Sequence, residues 1–318
     1  MKTAELKRLL IAVTRLTMAQ KAELMAALDA GGHDQEVRSI LESRVLQTRV
    51  CPHCNGAWVV RNGSASGLQR YKCRACRRTF NTLTTTPLAR LRLKRKWLQQ
   101  QDVLVQGLSV NKAAAALDVS ATTAFRWRHR FLQLAQAVKA TALSGVVEAD
   151  ETFFLRSSKG QCPGRKARQR GGRASRKERG MDLIPILVLR DRSGQTADFL
   201  LHAVSKACLS EAFKPRIHSD AVLCTDGSAA MAAAARELHI HHEPLNLRAG
   251  ERVRGPWHIQ NANAYHSRLK AWIARFHGVA TSYLENYLGW FRAIDRASNN
   301  RQQSAPMLAL ALGLGGRH

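Results

Sequence analysis

The run Gly145-Val-Val-Glu-Ala-Asp-Glu-Thr-Phe-Phe154 (GVVEADETFF, 145–154) opens a change in pattern along the chain. Upstream, residues 90–138 carry helical spacing of apolar positions. From Gly145 onward the apolar residues come in short runs bounded by polar ones: GVVEAD, then DLIPILVLR (182–190), TADFLLHAV (196–204) and AVLCTD (221–226). Runs of this length, rich in Val, Ile and Leu, read as strands. Helical stretches are predicted at 204–213, 228–238 and 257–296. Strands first and mixed elements afterwards indicate an α/β domain with a mixed sheet.

Two of these runs end in a carboxylate, Asp150 in VVEAD and Asp226 in VLCTD. An Asp at a strand end exposes oxygen ligands suited to a hard cation. Two such residues on neighbouring strands can bind a pair of Mg²⁺ ions. Such a pair activates the attacking oxygen and stabilises the leaving oxygen at a phosphodiester. Taken singly, a strand-end Asp is more often a turn former or a helix cap, and Gly227 after Asp226 fits that plainer reading. Strand alternation puts Glu148 on the side of Asp150 and turns Glu151 the other way, which makes Glu148 a candidate auxiliary acid. His239, His241 and His242 follow Asp226 without the Cys or acid spacing of a zinc site, and read as surface or substrate-strand residues. Trp272, Phe276, Tyr283, Tyr287, Trp290 and Phe291 read as packing residues of the last helices.

Between the first two strands, residues 156–180 hold ten Lys/Arg, one Glu and five Gly. Such a stretch cannot bury a core and reads as a mobile loop. It is either a solvated linker or an arm that grips phosphates through Arg165, Lys166, Arg168 and Arg170 and their neighbours.

Upstream, Cys51-Pro-His-Cys54 and Cys73-Arg-Ala-Cys76 are two CxxC knuckles separated by 18 residues. Each knuckle can present two thiolates to one ion, and the spacing is that of a four-cysteine zinc ribbon. Gly63 and Gly67 suit a hairpin turn, and Arg70, Arg74, Arg77 and Arg78 give the ribbon a basic face for DNA. A ribbon of this size has almost no apolar core, so the metal supplies much of its folding energy.

Residues 108–132 (LSVNKAAAALDVSATTAFRWRHRFL) read as a helix-turn-helix. Ala113, Ala114, Ala116 and Leu117 make a short helix, Asp118-Val119-Ser120 a turn, and Ser120 a cap for the next helix. That second helix is the one expected in a major groove. It places Thr122, Thr123, Arg126, Arg128 and His129 on polar positions, with Phe125, Trp127 and Phe131 left for packing. The expected domains are a helical segment 1–48, a zinc ribbon 49–82, a helix-turn-helix region 88–140, a catalytic domain 145–298 and a tail 299–318.

Composition agrees with these parts. Of 318 residues, 50 are Lys or Arg and 23 are Asp or Glu, a net charge of +27 that calls for a polyanionic partner such as nucleic acid. No stretch reaches the ~18 apolar residues of a membrane span, and the first twenty residues lack the apolar centre of a signal peptide. Seven cysteines, four of them in CxxC pairs, argue against a disulfide scaffold and for a reducing cytoplasm.

The pieces CPHC…QRYKCRACRRTFN, VVEADETFF, VLCTDGSAAM and HIQNANAYHSRLKAWIARFHGVATSYLENYLGWFR, in this order, resemble the ISXO-like transposases of bacterial insertion sequences, a branch of the DDE superfamily. The resemblance runs from Cys51 to about Asp295. It implies an RNase H-like core with Asp150 and Asp226 as first and second ligands of Mg²⁺ or Mn²⁺. The family carries a Lys or Arg seven residues past its third acid, and some members of this branch have Asn in place of that acid. Here Asn263 with Lys270 fits that pattern, so the resemblance implies Asn263 as third ligand and Lys270 as its basic partner. Asn offers only a neutral carbonyl oxygen, a weaker ligand than Glu. The implied function is cleavage and strand transfer of double-stranded DNA at an element's terminal inverted repeats and at target DNA, by a homodimer or higher oligomer on the bacterial nucleoid. The rival reading is a DNA-binding regulator without chemistry.

Overall fold

The computed structural model describes residues 50–160 and 183–299, together with 12–13, 16–21, 37 and 39–42. Residues 161–182 lie outside the described residues, and with them most of the predicted basic loop, including Arg165, Lys166, Arg168 and Arg170. The tail beyond 299 also lies outside them. The chain forms two compact units, Met1–Phe131 with Pro306–His318, and Leu132–Ala305. Among the described residues no helix is long and apolar enough to cross a membrane.

In the first unit, β1 (Val59–Ala65), β2 (Leu68–Cys73) and β3 (Thr79–Asn81) form an antiparallel sheet. Ala65 pairs with Leu68, so Ser66 and Gly67 make a two-residue hairpin turn, both at positive φ (51° and 73°). That conformation matches the strands' twist and favours Gly. Gly63 instead sits where the β1–β2 register shifts, a bulge rather than the turn. The buried core of this sheet is Cys51, Tyr71, Cys73 and Phe80, with Tyr71 stacked on Phe80 at 5.6 Å.

Three helices follow: α1 (Trp97–Val105), α2 (Val110–Leu117) and α3 (Ala121–Leu132). Ser109 caps α2, and Asp118 leaves it in the left-handed region at φ 47°. Ser120 Oγ accepts the Thr123 N–H at 3.2 Å, the cap expected from sequence. Ala124, Trp127, Arg128 and Phe131 are buried, and their spacing of three and four residues defines the core face of α3. Arg128 therefore corrects the expectation: at 1 % exposure its Nη2 donates to the Leu108 carbonyl at 2.6 Å and is not available to DNA. Phe125, expected in the core, is exposed and packs edge-on against His129, with ring centroids 4.4 Å apart.

The second unit is built on a five-stranded sheet: β4 (Val146–Leu155), β5 (Leu183–Asp191), β6 (Thr196–Leu200), β7 (Val222–Thr225) and β8 (His241–Pro244), in the order β6-β5-β4-β7-β8. β4–β5 and β5–β6 are antiparallel; β4–β7 and β7–β8 are parallel. This is the mixed sheet of the RNase H-like expectation, with β4 at its centre. One face is apolar: Val147, Ala149, Leu187, Leu189 and Leu223 pack against Leu209 and Phe213 of α4 (Lys206–Phe213) and Met231 of α5 (Ala229–Glu237).

The other face carries charge. The ladder sets Glu148 opposite Arg190 and Val188 opposite both Asp150 and Asp198. Directly opposed residues share a face, so Glu148, Asp150, Arg190 and Asp198 all point one way. α6 (Gln260–Ala274) and α7 (Leu284–Asn299) meet that face through buried partners. Asp198 pairs with Arg292 and accepts the Tyr265 hydroxyl at 2.8 Å; Asp295 joins Arg190 at 2.8 Å and Arg268 at 2.9 Å. Gly289 permits closer packing still, because a Cβ there would lie 2.6 Å from the Ala135 backbone. The helix predicted over 257–296 is interrupted twice. Trp257–His258 pairs with Val253–Arg254 as a short hairpin (β9, β10), and His277 and Gly278 take positive φ (50° and 99°) between α6 and α7.

Candidate active site and metal centres

The parallel register pairs Val146 with Val222, Val147 with Leu223 and Glu148 with Cys224. Asp150 lies two residues past the last pair on β4, and Asp226 follows the last residue of β7, at the start of a turn. Both are half-buried. Asp150 Oδ1 accepts the Glu151 N–H at 2.9 Å, and its Oδ2 lies 3.5 Å from Nδ1 of His266 on α6. Asp226 Oδ1 accepts the Ser228 N–H at 3.0 Å, and Ser228 in turn caps α5. Gly227 between them has φ +77°, and a Cβ there would meet the Leu245 carbonyl at 3.3 Å. Asp226 is thus a turn former, as its plainer reading held. One oxygen serves that turn, and the other makes no hydrogen bond or ion pair among the described residues.

Glu151 follows Asp150 but is paired with Leu187 and faces the other side of β4, as the alternation predicts. Burial, then the nearby charges of Asp226 and Asp150, push its carboxyl up to about 7, and its Oε2 is buried without a hydrogen-bond partner. Among the described residues no Lys or Arg pairs with Asp150 or Asp226, whose carboxylate oxygens are hard donors suited to a divalent cation. The donor chemistry therefore fits such an ion.

Asn263 and Lys270 lie on α6, seven residues apart and both exposed. No hydrogen bond or ion pair joins either side chain to Asp150 or Asp226 among the described residues. The α6 residues that do reach β4 are Asn261 and the Ala262 N–H, both bonded to Glu148, and His266. Glu148 is fully buried and ion-paired with Arg192, so it is no free auxiliary acid. No sequence pattern marks this role; only its two-residue spacing from Asp150 hints at a shared face. His241 and Glu243 pair on β8 at 2.9 Å, and His242 shares a hydrogen bond with Thr225, which accounts for two of the clustered histidines.

In the ribbon, the Sγ atoms of Cys51, Cys54, Cys73 and Cys76 all lie within 4.8 Å of one another. Cys51 to Cys76 and Cys54 to Cys73 are each 3.6 Å. A tetrahedral zinc with ~2.3 Å bonds needs sulfurs ~3.8 Å apart, so the four residues fit that ion. The Cys76 backbone N–H, first among its neighbours, lowers the Cys73 thiol to about 7, towards the thiolate that a metal requires. Among the described residues only this group converges so tightly. Cys208 and Cys224 are free thiols, and Cys162 lies outside the described residues.

The candidate DNA contacts divide by exposure. Arg74, Arg77 and Arg78 are exposed on the ribbon, while Arg70 is half-buried and donates to Thr79 at 3.3 Å. On α3, Thr122 and Arg126 are exposed, and Thr123 is tied to Ser120 through its hydroxyl at 2.9 Å. Trp58, beside the first knuckle, is 70 % exposed, a feature that composition alone did not single out.

Residues 142–292 match the ISXO2-like transposase domain family, and residues 90–137 match a homeodomain-like domain. A protein encoded in the transposable element ISH50 of Halobacterium salinarum is 30% identical over 255 residues, covering 76% of this chain and 83% of that protein. Among solved structures, a Mos1 transposase paired-end complex aligns at 14% identity over 67% of this chain and 78% of that one, with a TM-score of 0.24. A pre-cleavage Mos1 transpososome aligns at 13% identity over 70% and 79%, with a TM-score of 0.23. Likeness at those scores transfers no geometry to this chain.

Proposed function

The chain belongs to the family of ISXO2-like insertion-sequence transposases, and from that premise we propose that it cuts the ends of its element and joins them to target DNA. The observation that carries this reading is the pair Asp150, on the central strand β4, and Asp226, just past the end of the adjacent parallel strand β7. Two divalent ions held there would activate the attacking oxygen and stabilise the leaving one at a phosphodiester. Asp150, in the middle of the central strand β4, would be the ligand shared by the two ions. Asp226 and Asn263 complete the two shells, and Asn263 contributes a neutral carbonyl oxygen. Lys270, one helical face along from Asn263, meets a DNA phosphate.

The four thiols of the ribbon hold one zinc. Arg74, Arg77 and Arg78 of the ribbon, with Thr122, Thr123 and Arg126 of α3, contact the terminal repeats. Arg165, Lys166, Arg168 and Arg170 grip phosphates in a salt-dependent way. The protein acts as a homodimer or higher oligomer on DNA.

The test is cleavage of a labelled element end in Mg²⁺. Asp150→Asn is expected to reduce cleavage to background while end binding stays within about twofold, because the readers lie before residue 140. Asn263→Ala should lose most activity and Asn263→Glu retain or raise it. Cleavage that survives Asp150→Asn moves the active site elsewhere. Binding without any Mg²⁺-dependent cleavage by the wild type makes the chain a regulator.

A further inference from the structure

Glu148 lies two residues before Asp150 on β4, on the same face, with no exposed surface. A buried carboxylate is tolerated only when donors surround it. Four do so here. Its Oε2 accepts the Ala262 N–H at 2.9 Å and its Oε1 the Asn261 Nδ2 at 2.8 Å. Arg192 Nη1 approaches at 2.9 Å and His258 Nδ1 at 3.3 Å.

The position of the two α6 contacts is what gives Glu148 a role. The first N–H groups of a helix have no partner within it, and Ile259, at the N-cap of α6, supplies none. Glu148, 114 residues away in sequence, supplies it instead. This tether falls one residue before Asn263. A second comes three residues after Asn263, where His266 faces Asp150 at 3.5 Å. Asn263 thus stands between two ties that end two residues apart on the same strand, while its own side chain is held by no hydrogen bond among the described residues.

We propose that Glu148 is a positioning residue: by capping α6 it fixes Asn263 relative to Asp150 and so sets how tightly the site binds a divalent ion. This rests on the reading of Asn263 as the third ligand. Partners that orient a ligand typically change metal affinity 10–100-fold when removed, and Glu148 acts on the ligand through the helix that carries it.

The test is a titration of the full chain with Mn²⁺, read by electron paramagnetic resonance, with thermal unfolding followed in parallel. Glu148→Ala is expected to weaken Mn²⁺ binding by about 10–100-fold, and Glu148→Gln, which keeps an acceptor for the Ala262 N–H, by about tenfold or less. Asn261→Ala should move affinity the same way by a smaller factor. In an Asn263→Ala background Glu148→Gln should cost nothing further, since the two losses share one ligand. A merely structural role would lower the unfolding temperature and leave the Mn²⁺ affinity of the folded protein unchanged. That result, or an equal loss in both backgrounds, overturns the proposal. Should Glu148→Ala fail to fold, Glu148→Gln and Asn261→Ala carry the same comparison. A wild-type Mn²⁺ site that survives Asp150→Asn instead overturns the active-site reading, and this inference with it.

Discussion

The two candidate metal centres are built in opposite ways. In the ribbon the four thiols arise from two short turns, and almost nothing apolar lies beneath them: Tyr71 and Phe80 are the only large side chains of that core. In the sheet the acids come from β4 and from the end of β7, some 76 residues apart by number (226 − 150), and they rest on an extensive apolar layer of strands and helices. The ribbon brings its four thiols within 4.8 Å of one another, close enough to share one cation. The sheet holds its acids through strand pairing and the packing beneath them, and burial, then the charges of Asp226 and Asp150, raise the Glu151 carboxyl.

The largest effect that could break this contrast is metal removal. A chelator strong enough to strip zinc, or Cys51→Ser, should abolish amide-exchange protection throughout β1–β3. The zinc contribution is on the order of 10–16 kcal/mol in such sites. Exchange protection in β4 and β5 should not change in either case. Protected ribbon amides in metal-free protein would show that the ribbon's own packing suffices.

The second unit should fail through a different kind of group. Arg292 is buried, pairs with Asp198 and donates to the carbonyls of Ala135, Gln136 and Val138. Arg292→Ala leaves Asp198 buried beside the Tyr265 hydroxyl alone, and breaking such a pair costs about 3–5 kcal/mol. Urea unfolding monitored by the tryptophans of α6 and α7 should shift by that amount, with zinc content unaltered. A shift under ~1 kcal/mol would mean that water replaces the lost partner.

The smallest effect sharpens the contrast between holding the fold and meeting DNA within one helix. Arg126 and Arg128 are two residues apart on α3, one exposed and one buried. Arg128→Ala should cost about 1–3 kcal/mol of stability through the orphaned Leu108 carbonyl. Arg126→Ala should leave stability within about 0.5 kcal/mol and reduce the salt dependence of DNA binding by about one ion. If the two variants exchange these effects, the face assigned to α3 is wrong.

Much of this was legible because it is local. The CxxC pairs converge as their spacing requires, Ser120 caps α3, and strands hold Asp150 and precede Asp226, although β4 runs five residues past Asp150 to Leu155 instead of ending there. Sequence patterning also separated a helical, basic first part from a strand-led second part. It misread Arg128, because four hydrophilic residues in six around it hid the spacing that places 124, 127, 128 and 131 on one face. It ran Trp257 and His258 into the following helix, because nothing local distinguishes a two-residue strand from a helix start.

By itself the sequence determined the ligand chemistry: soft thiolates in the first unit, hard oxygens in the second, and an excess of positive charge suited to DNA. Tertiary structure alone decided that β4 and β7 run side by side in parallel, that Glu151 feels the charges of Asp150 and Asp226, and that Glu148 caps a helix more than a hundred residues downstream. The physical reason is range. Side-chain chemistry and turn geometry act within a few residues, whereas sheet register and helix docking are set by the burial of whole faces, and no short window of sequence contains both partners.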